Sequence, residues 1–373
     1  MSNPCKKRRF VSHGGDVWGF SRKYNVPLEK VLDFSGPINF LGASPKAIEA
    51  IRKNAKLVRF YPDPNPVELR MQLAEYVGDV SPENIIMGNG STELIYMVPE
   101  FFSPSFKAVI PVPSFTEYEK ATLRAGGEPI FVKLPEDFSL NIENIKKAVT
   151  NKTRVIFICN PHSPSGTLYE KQTILELVDF CERNDTVVCI DENYIEFAEK
   201  GKDATVASYV KECPNLFVIR SLTKFYALPG LRFGYAIADQ DFIGALQDVR
   251  QPWSINSLAV FAAKAALQDM EFIEKTKSLI TREKARLIKM IEEIDVLRVF
   301  PSETNFLLVR ILNKKTSSTS LKESLAKDGI LIRDCSTFVG LGDSYFRVTV
   351  KSAEDNLKLV EALKKALKMA HKK

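Results

Sequence analysis

Short apolar runs rich in β-branched residues recur between amphipathic stretches from about residue 66 to 250. IIMG, KAVIPV, VIFIC, VVCID, LFVIR and FGYAIA each have the length and composition of a buried strand. Three-to-four-residue apolar spacing over 66–77, 91–101, 114–125 and 170–184 predicts helices between them. Strands alternating with helices in this way predict a largely parallel sheet covered on both faces. The run from about 255 to 293 has few helix breakers and predicts one long connection to a second unit. There FLLVR, FRVTV and helical patterns near 320–328 and 353–370 make a smaller α/β unit. No internal repeat is present.

Length agrees with two units, because 373 residues exceed what a single core usually organises. Hydrophobic residues are 45% and charged residues 26%, values of a folded globular chain rather than a disordered one. No apolar stretch spans a bilayer and the start MSNPCKKRRF has no signal-peptide core, so no membrane partner and a cytoplasmic location are expected. Six scattered cysteines, Cys5, Cys159, Cys181, Cys189, Cys213 and Cys335, read as free thiols. The three histidines have no metal-ligand spacing, so no metal is expected. CKKRR at 5–9 and the HKK tail lack interleaved aromatics and read as solvated ends, not a nucleic-acid surface.

The chemistry gathers where apolar runs end. Lys224 follows LFVIR, where burial would disfavour its ammonium form and free the amine to attack a carbonyl. Eight residues on, past Pro229-Gly230, Arg232 offers a planar fork suited to a phosphate. Asp191 and Asn160 each end a strand-like run and would point into the crevice where open α/β sheets bind ligands. Gly90, Ser91 and Thr92 open a helical pattern and present free amides to an anion. Phe115 is placed to stack on an aromatic ring. Together these groups suit a phosphorylated aldehyde.

In these motifs the chain resembles a fold-type I pyridoxal-phosphate enzyme of the class I/II aminotransferase family. The resemblance implies a large domain over 41–285, a small C-terminal domain over 286–373, and an N-terminal segment, 1–40, packed on the small domain and active site. It implies that Lys224 bonds covalently to pyridoxal 5'-phosphate, Asp191 pairs with the ring nitrogen, and Asn160 and Tyr194 contact the ring hydroxyl. Gly90, Ser91, Thr92, Ser221, Thr223 and Arg232 would hold the phosphate, with Tyr61 reaching a neighbouring subunit's site in a homodimer. His13, Asn39, Arg333 and Arg347 would bind substrate, Arg347 gripping its α-carboxylate.

Within the family, HGGD, DFSGPINFLG, YPDP and RDCSTFVGLG resemble the subgroup that decarboxylates O-phospho-L-threonine in cobalamin synthesis. Histidinol-phosphate aminotransferases share the cofactor motifs, and transamination of histidinol phosphate with a 2-oxo acid is the alternative. Gly36-Pro37, Phe40 and Pro66 depart from the subgroup at the substrate entrance, leaving threonine, serine and histidinol phosphate open. A pyridoxal-phosphate sensor would need a DNA-binding module, and the 60 residues before YPDP, which include the active-site segment, are read as too few for one.

Overall fold

A computed structural model describes residues 13–371; Cys5 and the CKKRR run lie outside the described residues. Its largest sheet has seven strands in the spatial order Ile85–Asn89, Phe233–Ala238, Leu216–Ser221, Val187–Asp191, Thr153–Cys159, Lys107–Val112 and Glu128–Lys133. All neighbours pair in parallel except Phe233–Ala238, which runs antiparallel to both of its neighbours. Side-chain alternation divides each strand between two cores. Ile156, Ile158, Val188, Ile190 and Val218 face one cluster, while Val155, Phe157, Cys189, Phe217 and Ile219 face the other. Burial on both faces explains why these strands read as continuous apolar runs.

The smaller unit is an antiparallel sheet in the order Arg333–Asp334, Tyr345–Thr349, Phe306–Ile311 and Leu297–Val299. Helix Ala353–His371 and the end of helix Met270–Glu292 supply residues to its own core. Leu32–Asp33 pairs in parallel with Ile330–Leu331. Phe34 joins the core of the smaller unit, and Phe20 packs on Ala326 and Leu331.

Two expectations about elements change. The apolar run over 255–293 is not one helix but two, Ser257–Leu267 and Met270–Glu292, interrupted at Gln268-Asp269. Asp269 is the N-cap residue of the second, and its backbone amide bonds to Ala266. Strand Glu128–Lys133 was not evident from periodicity, because as the sheet's edge it is mostly exposed or half-buried. No helix among the described residues is long and apolar enough to cross a membrane.

Candidate active site

The carboxyl ends of the large sheet's strands deliver the expected groups to one place. Asp191 ends its strand 4% exposed. Its carboxylate accepts from Tyr118 Oη at 2.6 Å and from the Asn193 amide at 3.0 Å. Burial pushes its carboxyl up from the ordinary value, and these two hydrogen bonds oppose that shift. Asn160, on the neighbouring strand end, donates its backbone amide to the Asp191 carbonyl at 2.9 Å. Its Oδ1 accepts from the Tyr169 amide, while its buried Nδ2 has no partner. Such a donor costs free energy unless a ligand meets it.

Lys224 lies just past strand Leu216–Ser221, half-buried. Burial first, then the like charges of Arg347 and Arg232, lower its ammonium to about 8, against the opposing pull of Asp191 and Asp33. A substantial neutral fraction near neutral pH makes this amine a nucleophile and a proton carrier.

The start of helix Ser91–Glu100 has open amides and a guanidinium beside them, the groups a phosphate needs. Gly90 precedes helix Ser91–Glu100 with φ +78° and no side-chain cap, leaving the first amides open to an anion. A Cβ on Gly90 would lie 2.5 Å from Arg232 Nη2, so only glycine lets the guanidinium close over the helix start. Arg232 itself has φ +56°, a strained conformation for a side-chain-bearing residue. Asn193 Nδ2 bonds Ser91 Oγ at 3.0 Å, tying the seat to the loop after Asp191. Ser221 Oγ and Thr223 Oγ1 meet at 2.9 Å. Phe115 stands edge-on to Tyr118, with ring centroids 5.7 Å apart.

Arg347 lies 6% exposed in the interior, Nη1 on Ser163 Oγ at 3.0 Å and Nη2 on the Ser35 carbonyl at 3.3 Å. Its Nε has no partner, and no acidic side chain among the described residues pairs with it. Its guanidinium lies 4.7 Å from the Phe306 ring centroid, and Tyr194 meets the same ring edge-on at 5.1 Å. Arg333 is the register partner of Arg347 on the adjacent strand, is also buried, and donates to Thr337 Oγ1. Burial and the neighbouring Arg347 both lower its guanidinium's proton affinity.

Three expected residues have other surroundings. Asn39 donates both amide hydrogens within the protein, to the Phe225 carbonyl and Thr276 Oγ1, each at 2.9 Å. Its oxygen accepts from the Leu41 amide and its backbone amide donates to the Lys224 carbonyl at 3.0 Å, so it fastens the lysine turn. Tyr61 is 80% exposed, its ring centroid 4.9 Å from that of Trp253. His13 lies at the rim, its ring 5.7 Å from Phe115. Tyr118, Asn193 and Ser163 were not anticipated. Tyr118 had a signal: three residues beyond Phe115 on helix Thr116–Arg124, it faces the same side.

This arrangement fits a phosphorylated pyridine aldehyde: an acid for a ring nitrogen, a lone donor for a ring oxygen, a phosphate seat and an amine. The profile described as "Aminotransferase class I and II" matches residues 30–363. The chain belongs to that family. The family's cofactor is pyridoxal 5'-phosphate, and the α/β architecture is its fold-type I. A threonine-phosphate decarboxylase of Salmonella typhimurium is 32% identical over 358 residues, covering 95% of this chain and 96% of that one. A histidinol-phosphate aminotransferase of Methanocella arvoryzae is 34% identical over 351 residues, 94% of each chain. The crystal structure of L-threonine-O-3-phosphate decarboxylase from Porphyromonas gingivalis superposes with TM-score 0.81 at 29% identity, covering 91% of this chain and 100% of that one.

Proposed function

We propose that the protein is a pyridoxal-phosphate-dependent decarboxylase of O-phospho-L-threonine, giving (R)-1-amino-2-propanol O-2-phosphate. The observation that carries this reading is the pair of buried arginines, Arg333 and Arg347, register partners on adjacent strands. A phospho-amino acid brings a carboxylate and a phosphate on one molecule, whereas in transamination the phosphate of histidinol phosphate and the carboxylate of the 2-oxo acid arrive in separate half-reactions. One molecule with two anions engages both buried guanidinium groups at once.

When bound, the cofactor supplies an aldehyde for the substrate amine and a ring that takes up the electron pair released at the α-carbon. Asp191, its oxygen fixed by Tyr118, would pair with the ring nitrogen of the bound cofactor. Arg347 grips the α-carboxylate and sets the direction of its bond; when that bond breaks, carbon dioxide leaves. Lys224, which holds or releases a proton near neutral pH, returns one to the α-carbon. We also infer a homodimer, in which exposed Tyr61 completes the phosphate seat of the other subunit.

With O-phospho-L-threonine the protein should release carbon dioxide over many turnovers with no 2-oxo acid supplied. Arg333→Ala should weaken that substrate by roughly ten- to a hundredfold, from about 1.5–3 kcal/mol for a charged hydrogen bond. Turnover of histidinol phosphate that stops until a 2-oxo acid is added establishes transamination instead.

A further inference from the structure

We propose that Glu117 is a positioning residue for phosphate recognition: it holds His13 at the rim of the substrate cleft, ready to meet the substrate's phosphate. The inference rests on the reading that the substrate is phosphorylated.

Glu117 lies on helix Thr116–Arg124, 9% exposed, outside the shell of groups that hold the cofactor. Its carboxylate meets three donors: His13 Nε2 at 2.8 Å, Lys120 Nζ at 2.6 Å and Tyr96 Oη at 2.7 Å. Burial pushes its carboxyl up, but the bonds from His13, Lys120 and Tyr96 prevail and hold it at about 2. Glu117 is therefore an anion across the working range. Lys120 Nζ and His13 Nε2 lie 3.4 Å apart, and both meet the same carboxylate oxygen, Oε1, so Glu117 sets the position of each.

His13 is fastened from its other side as well. A Cβ on Gly14 would lie 2.2 Å from the Ser35 carbonyl oxygen, so the HGG segment presses directly on that carbonyl. The same oxygen accepts from Arg347, and Gly15 donates to Ser35 Oγ at 2.8 Å. The segment thus runs from the arginine that grips the carboxylate to the carboxylate that grips His13.

Beside it lies a cavity of about 180 Å³, large enough for a phosphate group, lined by His13, Ser35, Lys23, Lys322 and Arg333 among others. The two acids on its wall are occupied. Asp16 accepts from the Gly19 amide at 2.8 Å, and Asp334 accepts from Ser318 Oγ and Thr319 Oγ1, both at 2.7 Å, and from the Ser336 amide at 2.9 Å. The balance of charge facing the cavity is positive. An anionic group in this cavity meets Arg333 and, in the orientation that Glu117 imposes, His13.

The test uses holoenzyme carrying Glu117→Gln, His13→Ala or both. Equilibrium binding of O-phospho-L-threonine, histidinol phosphate and L-threonine is read from the bound cofactor's absorption, alongside kcat and KM. Glu117→Gln should weaken the phosphorylated ligand by about tenfold, the scale of one charge-assisted bond, with a much smaller effect on L-threonine and kcat. In the His13→Ala background the same substitution should have no further effect. Glu117→Asp, which keeps the charge but withdraws it from His13, should repeat the loss and guards against a folding defect peculiar to glutamine. Equal weakening of L-threonine, or losses that simply add in the double variant, would overturn the proposal. If wild type binds histidinol phosphate but not O-phospho-L-threonine, the decarboxylase reading fails while Glu117 is judged on histidinol phosphate by the same criteria.

Discussion

The depressed proton affinity of Lys224 is the most direct physical consequence of this site, and it can be measured without knowing the substrate. An ordinary lysine titrates near 10.5, whereas Lys224 is lowered to about 8 by burial and by Arg347 and Arg232. At pH 7.5 roughly a quarter of its amine is neutral, against roughly 0.1% for an ordinary lysine, so the reactive fraction is about two hundredfold larger. Trace acetylation of the apoprotein across a pH series, followed by peptide mass spectrometry, reads the midpoint for each lysine separately. The midpoint is the proper quantity because partial enclosure slows the reagent without moving it. Arg347→Gln removes a like charge and should move the midpoint up. Asp191→Asn removes an opposite charge and should move it down. A Lys224 midpoint indistinguishable from those of surface lysines, or shifts of the opposite sign in the variants, would refute the reasoning. Borohydride reduction of the holoenzyme should then place the pyridoxyl group on the peptide containing Lys224.

Two further expectations follow from groups at the edges of the site. Tyr61→Phe should weaken cofactor retention by roughly 0.5–1.5 kcal/mol in a dimer that sedimentation detects at working concentration, and a fully active monomer would show that no neighbour is needed. His162 is buried and neutral, its Nε2–H donating to the Pro113 carbonyl (2.8 Å) and its Nδ1 accepting from Ser165 Oγ (2.7 Å); burial lowers it to about 4. Because the unfolded chain binds a proton near 6.5 and the folded chain does not until about 4, the stability contributed by neutral His162 is complete above 6.5 and lost as pH falls. The loss is roughly 2 kcal/mol at pH 5. His162→Asn should flatten that part of the acid dependence in denaturant unfolding, and an unchanged slope would contradict it.

Much of the architecture was legible because its strands are buried on both faces. A fully covered strand such as Val187–Asp191 leaves a continuous apolar run in the sequence, and its end is marked by the first polar residue, the candidate Asp191. Edge strands leave no such mark. Glu128–Lys133 carries Pro129 and two charged ends, and the two-residue strands Leu32–Asp33 and Arg333–Asp334 are too short for any period to show. The split between Ser257–Leu267 and Met270–Glu292 was hidden for a different reason. Neither Gln268 nor Asp269 is a strong helix breaker, and the interruption shows only in the backbone bond from Asp269 to Ala266.

The site divides along the same line. Groups that act from a strand end announce themselves by position, as Asp191, Asn160 and Lys224 do. Groups that act through another residue do not, because their meaning depends on contacts across great sequence separation. Tyr118 reaches Asp191 across 73 residues, and Ser163 reaches Arg347 across 184. Asn39 shows the converse. The resemblance implies a substrate contact there, and the fold shows both of its amide hydrogens bonded within the protein, to Phe225 and Thr276, 186 and 237 residues away. A buried amide with every bond made is a structural fastener; one with an orphaned donor, as in Asn160, is waiting for a ligand. The distinction between them is a count of satisfied hydrogen bonds, and only the folded chain supplies it.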